Sequence, residues 1–413
     1  MMVMSLVSID LEVGCESGRI HRLAGVHGDG SASLAFPPGK LPGALDALDR
    51  LADGVAFLLG HNLIAFDLPQ LRAAQPNLRL LGKPAIDTLR LNPLAFPRNP
   101  YHHLVKHYQD GALLGNRRND PLLDAKLALQ VFTDQCASLK AMQEVSPDLL
   151  LTWHWLTTQD HGTGGLDHFF TEVRGAGRPY ASQVRAALTR LLDNTACAEV
   201  GADIILKAEQ FSWALAYALA WMSVAGGNSV MPPWVRHQFP EAGRLIRALR
   251  DRPCSSPGCV WCRREHDALT QLKLWYGRDY DFRPEPVDAA SGLPLQRVIV
   301  EAAMRGEHAL GILPTGTGKS LCYQVPALSR FVRTGALSIV ISPLVALMED
   351  QVKGLRERGI EGCAAINGLL SMPERADVLE RVRLGDIGIL LIAPEQLRNK
   401  SVRKVLAQRE IGA

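Results

Sequence analysis

Residues 5–13, SLVSIDLEV, alternate apolar and polar side chains, the period of a half-buried strand that sets Asp10 and Glu12 on one face. In residues 60–71, GHNLIAFDLPQL, an apolar run gives way to a helix that starts at Asp67, after an Asn and an aromatic. Residues 119–132, NDPLLDAKLALQVF, carry the period of an amphipathic helix containing Asp124. Helical patterning continues through residues 137–250, with breaks at 161–165 and 231–234. The tryptophans of that stretch, Trp153, Trp155, Trp213, Trp221 and Trp234, read as core packing ahead of base stacking. Its apolar run at 211–225 is shorter than the ~20 residues a membrane span needs, which predicts a buried helix and no membrane partner. Farther on, the apolar run 309–313 enters a loop of Pro, Gly, Thr and Lys, and an apolar helical segment follows. That order predicts strand, loop, helix.

At 413 residues the chain predicts two to four domains, and its 47% apolar and 21% charged content predicts well-packed ones. The net charge of +3 neither selects nor excludes nucleic acid, because a basic groove can sit on a balanced protein. The run Arg398, Lys400, Arg403, Lys404 and Arg409 predicts a solvated helix face. MMVMSLVSID has no basic start and leads straight into the first strand, so no secretory signal is expected. Eight cysteines, three of them clustered, predict a reducing compartment, a cytoplasmic location and metal in place of disulfides.

Chemistry is densest in residues 308–328, HALGILPTGTGKSLCYQVPAL. Gly316 and Gly318 let backbone N–H groups turn toward a phosphate, Lys319 can reach the β- and γ-phosphates, and the Ser320 hydroxyl can hold Mg²⁺. The strict pattern asks for glycine at position 313, where this chain has Leu313. With that departure PTGTGKS resembles the first motif of superfamily-two helicases, and ILPTGTGKSLCYQVPAL resembles the RecQ type down to LCYQ. Residues 339–353, IVISPLVALMEDQVK, resemble the motif that touches the DNA backbone, and residues 389–397, ILLIAPEQL, resemble the next strand and its loop. Gln296 stands 23 residues before Lys319, where the family has an adenine-reading glutamine, but it lies twelve positions past Pro284, the end of the Phe282-Arg283-Pro284 run that normally adjoins it.

This resemblance covers about residues 275–413. It implies a RecA-like P-loop domain with a parallel sheet and an ATP site of Gln296, Thr315, Gly316, Thr317, Gly318, Lys319 and Ser320, with Lys319 catalytic. It also implies Mg²⁺ as cofactor, DNA as partner and 3′–5′ translocation. A motor of this kind needs an acidic pair on a later strand, written DEAH in the family, and a second RecA-like domain with an arginine finger. After Asp386 the acids are Glu395 and Glu410 alone. The expectation is therefore an N-terminal fragment, truncated before that motif, which binds nucleotide weakly and neither hydrolyses ATP nor unwinds DNA by itself.

The N-terminal acids form a second constellation. Two carboxylates on one strand face suit hard cations with oxygen ligands. The order Asp10, Glu12, Asp67, Asp124 resembles DnaQ-like DEDD exonucleases over residues 3–135, an RNase-H-like fold. The resemblance implies that these four residues hold two Mg²⁺ or Mn²⁺ ions for cleavage from a 3′ end. His61 and Asn62 before Asp67, Asp87, and residues 101–108 follow the family's course. Its usual histidine base, five residues before the last acid, is Asn119 here, and the alternative tyrosine position holds Asp120. An amide takes up no proton at neutral pH, which leaves two readings open: an active nuclease, and a non-catalytic platform that binds DNA ends.

A third constellation is Cys254, Cys259, Cys262 and His266, spaced C-x4-C-x2-C-x3-H around a Pro257-Gly258 turn. Three thiolates and an imidazole make a closed tetrahedral set for Zn²⁺. An iron–sulfur cluster with Cys197 as remote fourth ligand is the alternative, followed by unligated thiols. Arg263 and Arg264 beside the knuckle can meet phosphates or solvent.

The expected architecture is α/β in four parts. An exonuclease-type domain spans 1–136, a helical connector 137–250, a Cys/His knuckle 251–274, and the truncated helicase domain 275–413. The expected partner is DNA as single strands, forks or 3′ ends, in repair, recombination or defence. LCYQ and ISPLVALMEDQ weigh against an RNA-directed ATPase.

Overall fold

The computed structural model describes residues 5–14, 18–37, 41–99, 120–159, 164–225 and 230–413. They divide into two compact units, one up to Ala187 and one from Leu188, with 97–99 assigned to the second.

The first unit is built on a mixed sheet. Its strands are β1 (Leu6–Val13), β2 (Ile20–His27), β3 (Ser33–Phe36), β4 (Phe57–Gly60) and β5 (Ala85–Asp87), in the spatial order β3-β2-β1-β4-β5. β1, β2 and β3 pair antiparallel, whereas β4 runs parallel to β1 and β5 parallel to β4. The period of two in β1 works as the pattern demands. Val7, Ile9 and Leu11 enter a core with Leu23, Leu48, Leu58 and Leu71, and Asp10 and Glu12 take the opposite face. Helix α1 (Leu41–Leu51) lies so close to β2 that a Cβ on Gly25 would stand 2.8 Å from Leu48 and Leu51. Helices α2 (Leu68–Ala74) and α3 (Thr88–Ala95) follow β4 and β5, each starting beside an aspartate.

Helix α4 (Pro121–Val145) opens with Pro121 at its first position and an Asp120 cap that accepts from Leu122 and Leu123. It packs on β1 and β2 and continues past residue 136, where a domain boundary was expected. Helices α5 (Pro147–Thr157) and α6 (Gly164–Arg174) pack on α4 and on each other, so the front of the expected connector belongs to the first unit. Helix α7 (Ala181–Leu192) spans the division between the units.

The second unit begins with α8 (Ala198–Leu206), α9 (Ser212–Met222), α10 (Pro233–Gln238) and α11 (Pro240–Arg250). The apolar run read as a buried helix is α9, whose residues from Trp213 to Trp221 are all buried. Short α12 (Val260–Glu265) and α13 (Ala268–Tyr276) lead to α14 (Leu295–Met304) and α15 (Leu321–Thr334). The remaining elements are β6 (Ser338–Ile341), α16 (Val345–Arg356), β7 (Cys363–Ile366), α17 (Met372–Leu384), β8 (Ile389–Ile392) and α18 (Lys400–Leu406). β6, β8 and β7 form a parallel sheet in that order, and the central strand ILLI is buried throughout, as a covered parallel strand should be. Residues 410–413 run parallel beside the start of β6, where Leu337 donates to Glu410 O and Ile339 donates to Ala413 O.

Two expectations are corrected here. The run 309–313 forms no strand, and Leu310 and Ile312 are 89% and 81% exposed. A strand exists only through its neighbours' hydrogen bonds, and none of the described strands pairs with this run. Arg409 is buried, not part of a solvated face: its guanidinium donates to Gly335 O at 2.9 Å and to Ile387 O at 3.2 Å. Four of the five connector tryptophans are buried, and half-buried Trp234 meets Tyr217 and Phe239 edge to face.

Candidate functional site

In the second unit, Gly316 and Gly318 take left-handed φ of 78° and 74°, a conformation glycine adopts without a side-chain clash. The loop they shape leads through Ser320, the cap of the 14-residue α15. Lys319 is exposed, and its Nζ folds back over the loop to donate to Leu313 O at 3.0 Å. Thr317 Oγ1 donates to Pro314 O. Gln296, at the start of α14 and 3% exposed, donates through Nε2 to Gly318 O at 2.8 Å and accepts the Arg283 N–H at 3.1 Å. Folding thus closes the eleven-residue gap between the Phe-Arg-Pro run and the glutamine. Arg283 also donates to Gly316 O. A methyl group on Gly318 would stand 2.9 Å from Gln296 Nε2, so the loop fits around that amide.

A hydrogen-bonded row joins this loop's helix to α16. Tyr276 OH bonds Gln324, and both Tyr323 OH and Gln324 Nε2 donate to Gln351 Oε1, at 3.1 and 2.9 Å. The LCYQ residues therefore meet the segment that resembles a DNA-contacting motif.

In the first unit, carboxylate oxygens of Asp10, Glu12 and Asp124 lie within 4.8 Å of one another. β1 supplies two of them and the first turn of α4 the third. Asp67 is a neighbour of this group without being one of the three. It is buried beside Asp10, and its Oδ1 accepts the Leu11 N–H at 3.1 Å. Asp87 has a positioning role instead. Its carboxylate accepts from Asn62, Ile64 and Leu89 N–H, which fixes the turn where Asn62 has φ 68° and brings Asp67 into place. His61 Nδ1 is tied to Thr88 Oγ1. Asn119 and residues 101–108 lie outside the described residues.

Burial, together with Asp10 and Asp87, raises the Asp67 carboxyl well above the usual carboxylate range. A carboxyl whose folded pKa is raised loses its proton later in the folded state than in the unfolded one. Without divalent ions, its ionisation therefore costs stability as pH rises from about 3.8 through the raised value. Asp67→Asn keeps an oxygen for the Leu11 amide and removes that cost. In chelator at neutral pH the variant should unfold a few degrees above the parent, and at pH 4 the two should converge. Thermal scans across pH check this.

The residues come together as the alternative ligand set, with Cys197 and not His266 as the fourth member. Sγ atoms of Cys197, Cys254, Cys259 and Cys262 all lie within 4.8 Å of one another, and His266 is not in the group. His266 ends α12 amid Arg333, Asp251 and Arg330, and burial pushes it down to about 4. The fourth sulfur comes from the cap of α8, 57 residues before Cys254.

Comparison with known proteins bears on the second unit. Residues 293–410 match the DEAD/DEAH box helicase family. The ATP-dependent DNA helicase RecQ of Synechocystis sp. is 38% identical over 116 residues, 28% of this chain and 23% of that protein. The probable ATP-dependent DNA helicase RecS of Bacillus subtilis is 40% identical over 111 residues, 27% of this chain and 21% of that protein. Human ATP-dependent DNA helicase Q4 is 40% identical over 104 residues, 25% of this chain and 8% of that protein. The chain spans less than a quarter of the length of each of these relatives.

Proposed function

We propose that this chain, with its DEAD/DEAH box helicase domain of RecQ kind at residues 293–410, is the ATP-binding part of a DNA-unwinding motor joined to a metal-dependent 3′–5′ exonuclease-like module. The observation that carries the motor is the loop itself: two left-handed glycines and an exposed Lys319 at the head of α15, with Gln296 and Arg283 holding the loop from behind. ATP, when bound, supplies the phosphates and the Mg²⁺ that travels with them. The chain's residues would hold them: the loop amides would face the phosphates, Lys319 would exchange Leu313 O for their charge, and the Ser320 hydroxyl would help hold the ion. The row from Gln324 to Gln351 gives the loop a mechanical link to the DNA-contacting segment.

The exonuclease-like reading rests on the grouping of Asp10, Glu12 and Asp124, with Asp67 beside Asp10, on a sheet of order β3-β2-β1-β4-β5. Those oxygen donors, crowded at like charge, suit Mg²⁺ or Mn²⁺, which when bound supply the Lewis acid for phosphodiester cleavage. Asn119 in the base's place supports the second reading, a module that grips DNA ends without cutting them. A cytoplasmic protein acting on single strands, forks or 3′ ends in repair, recombination or defence is the setting we infer. Among the described residues no helix is long and apolar enough to cross a membrane.

The whole protein should hydrolyse ATP faster with single-stranded DNA present and unwind duplexes in the 3′–5′ direction. Hydrolysis stimulated by RNA and unmoved by DNA would overturn the assignment.

A further inference from the structure

We propose that Cys197, Cys254, Cys259 and Cys262 bind a single tetrahedral Zn²⁺ ion, and that this ion staples the start of α8 to the platform on which α15 rests. Zinc–thiolate bonds of roughly 2.3 Å in a tetrahedron put sulfurs about 3.8 Å apart. The four Sγ atoms, none more than 4.8 Å from another, are at the spacing of a one-ion site. A cubane iron–sulfur cluster puts each thiolate on a separate iron at the corners of a larger cage, and this site is too small for one. The choice left open by the sequence is thereby narrowed on geometry.

The chain around the sulfurs is arranged to hold them. Cys197 N–H donates to Leu249 O at 2.7 Å, which fixes the cap of α8 against the end of α11. Cys259 N–H donates to Ser256 O across the Pro257-Gly258 turn, and Cys254 N–H points at Cys262 Sγ at 3.4 Å, a contact that favours thiolate. Cys197, Cys259 and Cys262 are buried with Trp261 and Cys254 is half-buried, and four thiolates leave no open coordination position, as in structural zinc sites. Four thiolates leave two negative charges on a zinc site. The Arg250 and Arg264 guanidinium groups lie 4.6 and 5.3 Å from the ring of Trp261, the residue next to Cys262.

The segment that carries three of the ligands is seated on α15. Arg333, fully buried, donates to Asp251 Oδ1 at 3.0 and 2.8 Å and to Glu265 O at 2.8 Å, on either side of the three cysteines. Ser329 Oγ also bonds Glu265 O. The ion therefore closes a 57-residue span of chain onto the helix that begins at the phosphate-type loop. Its place is structural: among the described residues the thiolates fill all four positions of a tetrahedron.

The test uses the full chain, purified without chelator. It should hold about one zinc per molecule, and chelation should release the metal and free the four thiols for titration. Cys197→Ser should lower the zinc content about tenfold or more after dialysis, and His266→Ala should leave it unchanged. Should Cys197→Ser fail to fold, Co²⁺ substitution in the parent decides, because the sulfur-to-cobalt band grows with each thiolate and four give a different intensity from three. Iron with acid-labile sulfide, zinc lost in His266→Ala, a three-thiolate cobalt spectrum, or a metal-free chain with paired disulfides would each overturn the proposal.

Discussion

Lys319→Ala is expected to weaken binding of Mg²⁺-ATP to this chain by about 100-fold, with its thermal stability unchanged. The side chain is exposed and, among the described residues, bonds Leu313 O, so its removal strands only a loop carbonyl. The loss falls on the ligand. A charge-assisted bond to phosphate contributes about 1.5–3 kcal/mol, and 1.4 kcal/mol is roughly tenfold in affinity. Titration of a fluorescent ATP analogue into parent and variant measures it. Gly318→Ala makes a useful companion, because it disturbs the loop by a different route, through a φ of 74° and a Cβ 2.9 Å from Gln296 Nε2. Affinity within about twofold of the parent in both variants would remove this loop from the nucleotide site.

The second large effect is expected in the first unit. Given end-labelled single-stranded or 3′-recessed DNA with Mg²⁺ or Mn²⁺, the chain should shorten the labelled strand from its 3′ end. Asp10→Ala should reduce that rate by about 10³-fold or more, since carboxylates that act as one cation cage lose most of its function with any member. Asp10 is half-buried on the polar face of β1 and its neighbours Ile9 and Leu11 carry the core packing, so the variant should keep its fold. Asp67→Asn should lose activity to a similar degree while gaining stability in chelator, a pairing that separates a site role from a folding role. DNA binding by the parent without shortening would make the module an end reader, the reading that Asn119 supports.

What the sequence disclosed was local. The alternation in residues 5–13 placed Asp10 and Glu12 on one face because a strand's period is a property of its own backbone. The glycines of PTGTGKS sit in left-handed turns for the same kind of reason. What stayed hidden depends on partners distant along the chain. The sequence offers Cys197 only as the remote ligand of the iron–sulfur alternative, because no short spacing ranks a thiol 57 residues away above His266; the fold decides between them by setting the cap of α8 against the end of α11. His266 has a spacing suited to a ligand, yet its ring lies among arginines instead. The boundary expected at 136 fell inside α4, because a helix of 25 residues with a weak one-sided pattern gives no sign of where one core ends. Arg409 looked like surface because a charged residue in a basic run usually is, whereas three backbone carbonyls surround it.

The unpaired run 309–313 has a thermodynamic corollary. Its backbone is tied into none of the described strands, and two of its large apolar side chains face water, so little free energy resists its local opening. Part of whatever a nucleotide gains in the adjoining loop must go into ordering this approach. Association should accordingly carry a heat-capacity change more negative than the loop's own contact area implies, and a slower on-rate than a rigid cradle would give.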